Sequence, residues 1–235
     1  MKSAKVRTED VAAEARSILS CPAQIGVTID GVLARFIDGA HIAAREDGRP
    51  TFACHPDDPL VDAARCGSAA VLTVRSGVTG GWSEEATVIV TGRLLPSGRF
   101  ECDCCDAVRE QVDVDPATVV LCVPDGDGRQ TRIQVPLDAF HDPAHGLNRG
   151  YLQQSTTHLN MCHQRELRLA VGALAQLHLA DIAGVTLSDL HPDGVVIGWV
   201  TLDGAHRREL RFSRAARTVT ELGELLRFHL HHGLC

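Results

Sequence analysis

The chain has 235 residues, 44% of them hydrophobic, 23% charged and 4% aromatic, and a formal net charge of −7. That length supports one large domain or two modest ones, with a core that needs no disulfide staple. The acidic balance, with Lys2 and Lys5 the only lysines, excludes a polybasic nucleic-acid footprint, and no run of 18 apolar residues exists to span a bilayer.

The first 20 residues hold basic side chains but no continuous apolar stretch of the secretory kind, so a cytoplasmic protein is expected. Its nine cysteines are then expected to stay reduced, to bind metal or to serve redox chemistry.

Residues 8–20 read as a helix. Thr8 suits its cap, Glu9 and Asp10 suit its positive end, and Val11, Ala15, Ile18 and Leu19 make an apolar stripe that Pro22 ends. The period then shortens. Residues 23–30, 32–38, 41–46 and 50–54 are extended runs punctuated by Gly31, Gly39 and Asp47-Gly48, which are hairpin signals. A short helix over 60–66 follows, capped by Asp57 or Asp58 and stopped by Gly67. Strands are expected at 69–74 and 86–95, around the glycine-rich loop 77–81, and again at 119–123 and 131–136. Six or more short strands with one helix between them predict a nearly closed antiparallel barrel, because closure removes sheet edges.

Residues 143–150, with Pro143, Gly146 and Gly150, read as a linker between a barrel over 1–142 and a second domain over 151–235. The second domain opens with one helix over 153–179, with Leu159, Leu167, Ala170, Leu174 and Leu177 near one face. Strands at 185–190, 195–202 and 207–212 and a helix over 220–230, capped by Thr220, complete an α+β layer.

The segment His158-Leu159-Asn160-Met161-Cys162-His163, followed by Glu166-Leu167, resembles the H-M-N-x-D-H helix opening of the small α/β domain carried by haem-utilisation (HugZ-type) proteins. Cys162 stands where that pattern has an acid. Residues 181–190 and Arg211-Phe212-Ser213-Arg214 are similar to its later segments. The run from Pro50 through Asp58-Pro59-Leu60 to Val74 resembles flavin-binding split barrels of the pyridoxamine-phosphate-oxidase type. The resemblance implies an antiparallel split β-barrel followed by a small α/β domain, a homodimer, and a haem or FMN cofactor. The functions it implies are haem binding with haem degradation or iron utilisation, or a flavin-dependent oxidoreduction.

Candidate ligands follow. Haem needs an axial His or Cys. Twelve histidines offer donors, and the carboxy-terminal His229, His231 and His232 are the densest group. The plainer reading of these three is a helix end, where imidazolium meets the negative dipole. His158, Asn160 and His163 are either cofactor contacts or hydrogen-bonding ties between the helix and a neighbour. On a regular helix the two histidines would stand about 140° apart. An FMN phosphate would need charge-assisted donors, for which the barrel offers Arg45, Arg49, Arg65 and Arg75. Cys102, Cys104 and Cys105 could hold zinc, copper or a cluster, with Cys54, Cys66 or Cys122 as a fourth ligand. A surface hairpin of reduced thiols is the alternative, and with metal it would make a third function, a metal or redox sensor. His55-Pro56-Asp57-Asp58 could serve acid–base chemistry or merely cap the next helix. No nucleophile elbow, Walker loop, H-E-x-x-H or G-x-G-x-x-G is present.

Overall fold

Helix α1 (Thr8–Ser20) buries Val11, Ala12, Ala15, Ile18 and Leu19 on the stripe that its sequence repeats every three to four residues. Each larger side chain so buried stabilises by about 1.5–3 kcal/mol. Thr8 is the first helical residue rather than the cap, and the capping position, Arg7, makes no side-chain cap bond. The structure is a computed structural model and describes residues 7–38, 42–82, 84–101, 108–124, 127 and 129–230, with the side chains of 34–38, 100 and 101 excepted.

The chain divides into two units, Met1–Gly150 and Tyr151–Cys235. The first is an antiparallel split barrel. Its eight strands are β1 (Pro22–Ile29), β2 (Val32–Asp38), β3 (Ile42–Ala44), β4 (Pro50–Cys54), β5 (Ala69–Ser76), β6 (Thr87–Glu101), β7 (Val108–Pro124) and β8 (Gln130–Val135), in the order β2-β1-β5-β6-β7-β4-β3. The long β7 pairs with β6 on one side. On its other side it pairs with β4 near its start and with β8 near its end. Strict alternation along β5 turns Ala70, Leu72, Val74 and Ser76 inward, as the period of two requires. They join Ile25, Val27, Val88, Val90, Leu94, Val119 and Leu121 in one core, with α1 packed among them. Helix α2 (Pro59–Arg65) lies between β4 and β5. Asp58 caps it by accepting from the Leu60 N–H at 3.0 Å, and Gly67 at φ +66° ends it.

Two buried polar groups pin this unit. Asp113 on β7 accepts from the Thr51 and Ser97 hydroxyls at 2.8 Å each and pairs with Arg45 at 2.9 Å. Arg16, on the inner face of α1, is 1% exposed. Its guanidinium donates to the Phe140 carbonyl at 2.8 Å and the Glu46 carbonyl at 2.7 Å, so it ties α1 to the β3–β4 turn and to α3 (Leu137–Phe140). Burial pushes its pKa down against the Coulombic support of Asp47 and Asp142. Gly48, at φ +81°, lets that turn close: a Cβ there would stand 2.6 Å from the Arg16 side chain.

In the second unit, α4 (Arg149–Cys162), which begins at the boundary, and α5 (Gln164–Ala175) precede a three-stranded antiparallel sheet. Its order is β11 (Gly204–Arg211), β10 (Gly194–Thr201), β9 (Gly184–His191). Helix α6 (Val219–His229) closes the unit. Two expectations fail here. The single helix expected over 153–179 is two helices with a break at His163. Thr218, not Thr220, caps α6, accepting from the Glu221 N–H at 3.1 Å.

Candidate functional site

The break at His163 brings two imidazoles of the second unit together. His163 leaves helical geometry, at φ −119° and ψ 32°. The change swings its ring back toward His158. The two rings meet edge to face with centroids 5.1 Å apart, and their Nε2 atoms are 3.3 Å apart. The divergence expected of a continuous helix is thus removed. On the other side of His163, Nδ1 faces the Glu166 carboxylate at 3.8 Å, with the imidazole 14% exposed. A carboxylate on that side helps to orient the ring.

Two imidazole nitrogens at this spacing share one proton or converge on one electrophile. With metal–nitrogen bonds of about 2.0–2.1 Å, adjacent tetrahedral ligands stand about 3.3 Å apart and opposed ligands about 4.1 Å apart. The pair therefore matches adjacent positions on one metal. A haem would be held by one of these two rings rather than by both. Among the described residues no group of three His, Cys, Asp or Glu side chains is arranged to hold a metal.

Asn160 is engaged elsewhere. Its side-chain Nδ2 donates to the Leu187 carbonyl at 2.9 Å and its Oδ1 accepts the Leu187 N–H at 2.7 Å. Gln164 donates to the Val185 carbonyl at 3.0 Å, and Arg168 to the Ala183 carbonyl at 2.8 Å. Residues 160, 164 and 168 thus serve 187 and 185 on the outer edge of β9 and 183 just before it. The match is geometric: four helical residues rise about 6 Å and two strand residues about 6.6 Å. The helix pair seals an edge that would otherwise offer unpaired backbone groups.

The remaining candidates are dispersed. His229 Nε2 accepts the Ser213 N–H at 3.3 Å, and its ring packs on Phe212 and Phe228. His231, His232, Cys102, Cys104 and Cys105 lie outside the described residues. Cys54 and Cys122 are buried, whereas Cys66 and Cys162 are exposed. Cys21 is also buried, which pushes its thiol pKa up. His55 and Asp57 are both well exposed, 3.7 Å apart, while Asp58 serves as the helix cap. Of the four arginines that might hold a phosphate, Arg45 pairs with Asp113, Arg49 with Asp47 at 2.7 Å and Arg65 with Asp62 at 3.0 Å. Arg75 is exposed on β5. The ends of the 77–81 loop are held rather than loose: the Gly77 N–H bonds the Cys21 carbonyl and the Trp82 N–H bonds Glu14.

Sequence reasoning missed a cleft of about 520 Å³ in the second unit, walled by Trp199 and His206. The rings stack with centroids 5.4 Å apart and planes 16° apart. The signal was present in the Leu202-Asp203 turn. A two-residue hairpin turn fixes register, and here it sets Trp199 directly opposite His206.

No family model matches the chain, and no curated protein matches it. Among solved structures, the chain is similar to a heme binding protein from Mycobacterium smegmatis at 14% identity and TM-score 0.36, covering 91% of this chain and 93% of that one. It is also similar to a protein of unknown function from Agrobacterium tumefaciens at 17% identity and TM-score 0.37, covering 97% and 98%. No helix among the described residues is long and apolar enough to cross a membrane.

Proposed function

We propose that this chain binds haem, with His163 as the iron ligand. The observation that carries the reading is the break at His163, which leaves its Nδ1 facing the Glu166 carboxylate at 3.8 Å and its Nε2 on the His158 side. Glu166 orients the His163 ring. His158, which is exposed, would have to turn aside for a haem to reach His163 Nε2. Haem is favoured over FMN because Arg45, Arg49 and Arg65 already hold carboxylates, which leaves a phosphate dianion only Arg75 among those four.

Titration with haemin tests this. The expected result is a sharp Soret band that saturates at one haem per chain. It is lost in His163→Ala and kept in His158→Ala. A featureless titration that never saturates, or one indifferent to His163→Ala, would overturn the assignment. Parallel His229→Ala, His231→Ala and His232→Ala variants test the carboxy-terminal histidines as the ligand instead. The resemblance to split-barrel proteins also implies a homodimer, which light scattering on the haem-loaded protein checks.

A second reading uses the same spacing differently. At 3.3 Å the imidazoles also suit a divalent zinc or copper ion with water on its remaining positions. Retention of zinc through dialysis, abolished by His158→Ala, would favour it over haem. Ser substitutions at Cys102, Cys104 and Cys105 test whether metal resides at those thiols instead.

A further inference from the structure

The cleft between α5 and the β10–β11 hairpin is independent of the histidine pair. It is lined by Ala175 and Leu177 from the end of α5, Asp181 from the following turn, Trp199 and Thr201 from β10, and Leu202, Asp203 and His206 from the hairpin. Its volume of about 520 Å³ lies in the range of small-molecule sites. Three features define what it would accept.

The first is the aromatic wall. His206 Nε2 lies 3.1 Å from the Thr201 hydroxyl, which fixes the imidazole in its stack on the indole. The indole Nε1 is shielded from solvent. The ring therefore offers the cleft apolar carbon surface rather than its N–H donor, with His206 already stacked against one face.

The second is charge. Among the described residues, Asp181 and Asp203 are the lining carboxylates, both exposed, and no Lys or Arg lines the cleft. The arginines of β11 are committed elsewhere: Arg207 to Asp189 at 2.8 Å, Arg208 to the Leu174 carbonyl at 3.2 Å and Arg211 to Glu209 at 3.1 Å. An anion, haem propionates included, meets two like charges here, so this cleft is not a second haem site.

The third is apolar surface with no partner in its own unit. Leu202 is 99% exposed at the rim. Ala175 and Leu177 continue an apolar wall behind it. An occupant with a short hydrocarbon body would cover this surface while its charged end meets the carboxylates.

We infer that this cleft binds a small organic ammonium ion, with its cationic end toward the lining carboxylates of Asp181 and Asp203 and its apolar body against Trp199 and Leu202. The two tryptophans of the chain are Trp82 and Trp199. Trp82→Phe in the full chain therefore leaves Trp199 as the only indole reporter.

The test titrates that variant with 2-phenylethylammonium chloride at constant ionic strength. It uses 2-phenylethanol as the neutral analogue and 3-phenylpropanoate as the anionic one. The expected result is a saturable change in Trp199 emission with half-saturation at about 10 mM or tighter, the range open to a ligand of this size. The alcohol should bind about tenfold more weakly, and the carboxylate should show no saturation. Asp181→Asn combined with Asp203→Asn should weaken the ammonium by about tenfold and leave the alcohol unchanged. Equal responses to ammonium and alcohol would show an apolar crevice without charge selection and overturn the inference. An ammonium response unmoved by the double Asn change would overturn it too, as would the absence of saturation. The comparison among the three ligands needs no second-unit variant, so the result stands whatever the stability of the Asn protein. Haemin binding in the same preparation reports separately on the histidine pair.

Discussion

Replacing Arg16 with Met removes the buried cation while keeping an unbranched side chain against Phe140, over whose ring the guanidinium now lies at 5.8 Å. Buried ion pairs are often replaceable by hydrophobic residues at little cost, because both charges leave together. Arg16 differs, because its close partners are the Phe140 and Glu46 carbonyls at 2.8 and 2.7 Å, which a variant cannot remove. Each acceptor stranded in the interior costs about 1–3 kcal/mol. Relief from burying the guanidinium, whose pKa is already pushed down by desolvation, offsets part of that. The net expectation is a loss of about 3 kcal/mol for Arg16→Met, with Arg16→Lys intermediate. For a chain of this size that lowers the unfolding midpoint by about 6–12 °C. Thermal and urea unfolding followed by far-ultraviolet circular dichroism measure it. A Met variant within about 1 kcal/mol of the parent would show that the carbonyls find other donors and would refute the reasoning.

Three further outcomes are expected. Asn160→Ala should cost about 1–2 kcal/mol and speed amide exchange at Leu187 about tenfold, since both backbone groups of that residue lose a partner; unchanged exchange at Leu187 would show that the edge is sealed by other means. Glu221 accepts the Arg217 N–H and pairs with the Arg214 guanidinium, which holds its carboxyl below the usual glutamate range. Its folded pKa is depressed, so its stabilisation is complete above the ordinary glutamate range and disappears as pH falls through the lower folded value. Urea midpoints should therefore separate parent from Glu221→Gln at neutral pH and converge in acid; a gap that persists in acid counts against the assignment. Finally, a maleimide should label Cys66 and Cys162 in the native protein and reach Cys21, Cys54 and Cys122 only after denaturation. Peptide mass spectrometry reads the sites, and native labelling of Cys54 or Cys122 would contradict their burial.

Much of the fold could be read locally. Strands 32–38 and 50–54 fall at their expected bounds, and Asp58 and Gly67 delimit α2 as their chemistry suggests. The strand expected at 119–123 is only the end of a 17-residue strand. Asp113, Asp115 and Pro116 look like turn residues in isolation. In the barrel, Asp113 is neutralised by Arg45, Thr51 and Ser97, and Pro116 sits opposite Gly92 where the β6–β7 register shifts. The cap of α6 was misplaced by two residues because Thr218 and Thr220 suit a helix start equally well, and only the chain's approach chooses between them.

The candidate site was legible as residues and not as geometry. His158, Asn160 and His163 stood out by resemblance, yet their apolar neighbours keep a helical period straight through position 163. The period fixes which face of a helix is apolar and says nothing about where a partner bends it. Here the edge of β9 takes Asn160 and Gln164 as surrogate strand partners, and His163 lies between them at the break. The sequence alone determined the alternation of the barrel strands, the stripe of α1 and the chemical kinds of side chain on offer, because those follow from local period and turn chemistry. Only the tertiary structure decided that two imidazoles five residues apart would meet at 3.3 Å. That meeting depends on the hold of the distant β9 segment on Asn160 and Gln164, which no local pattern carries.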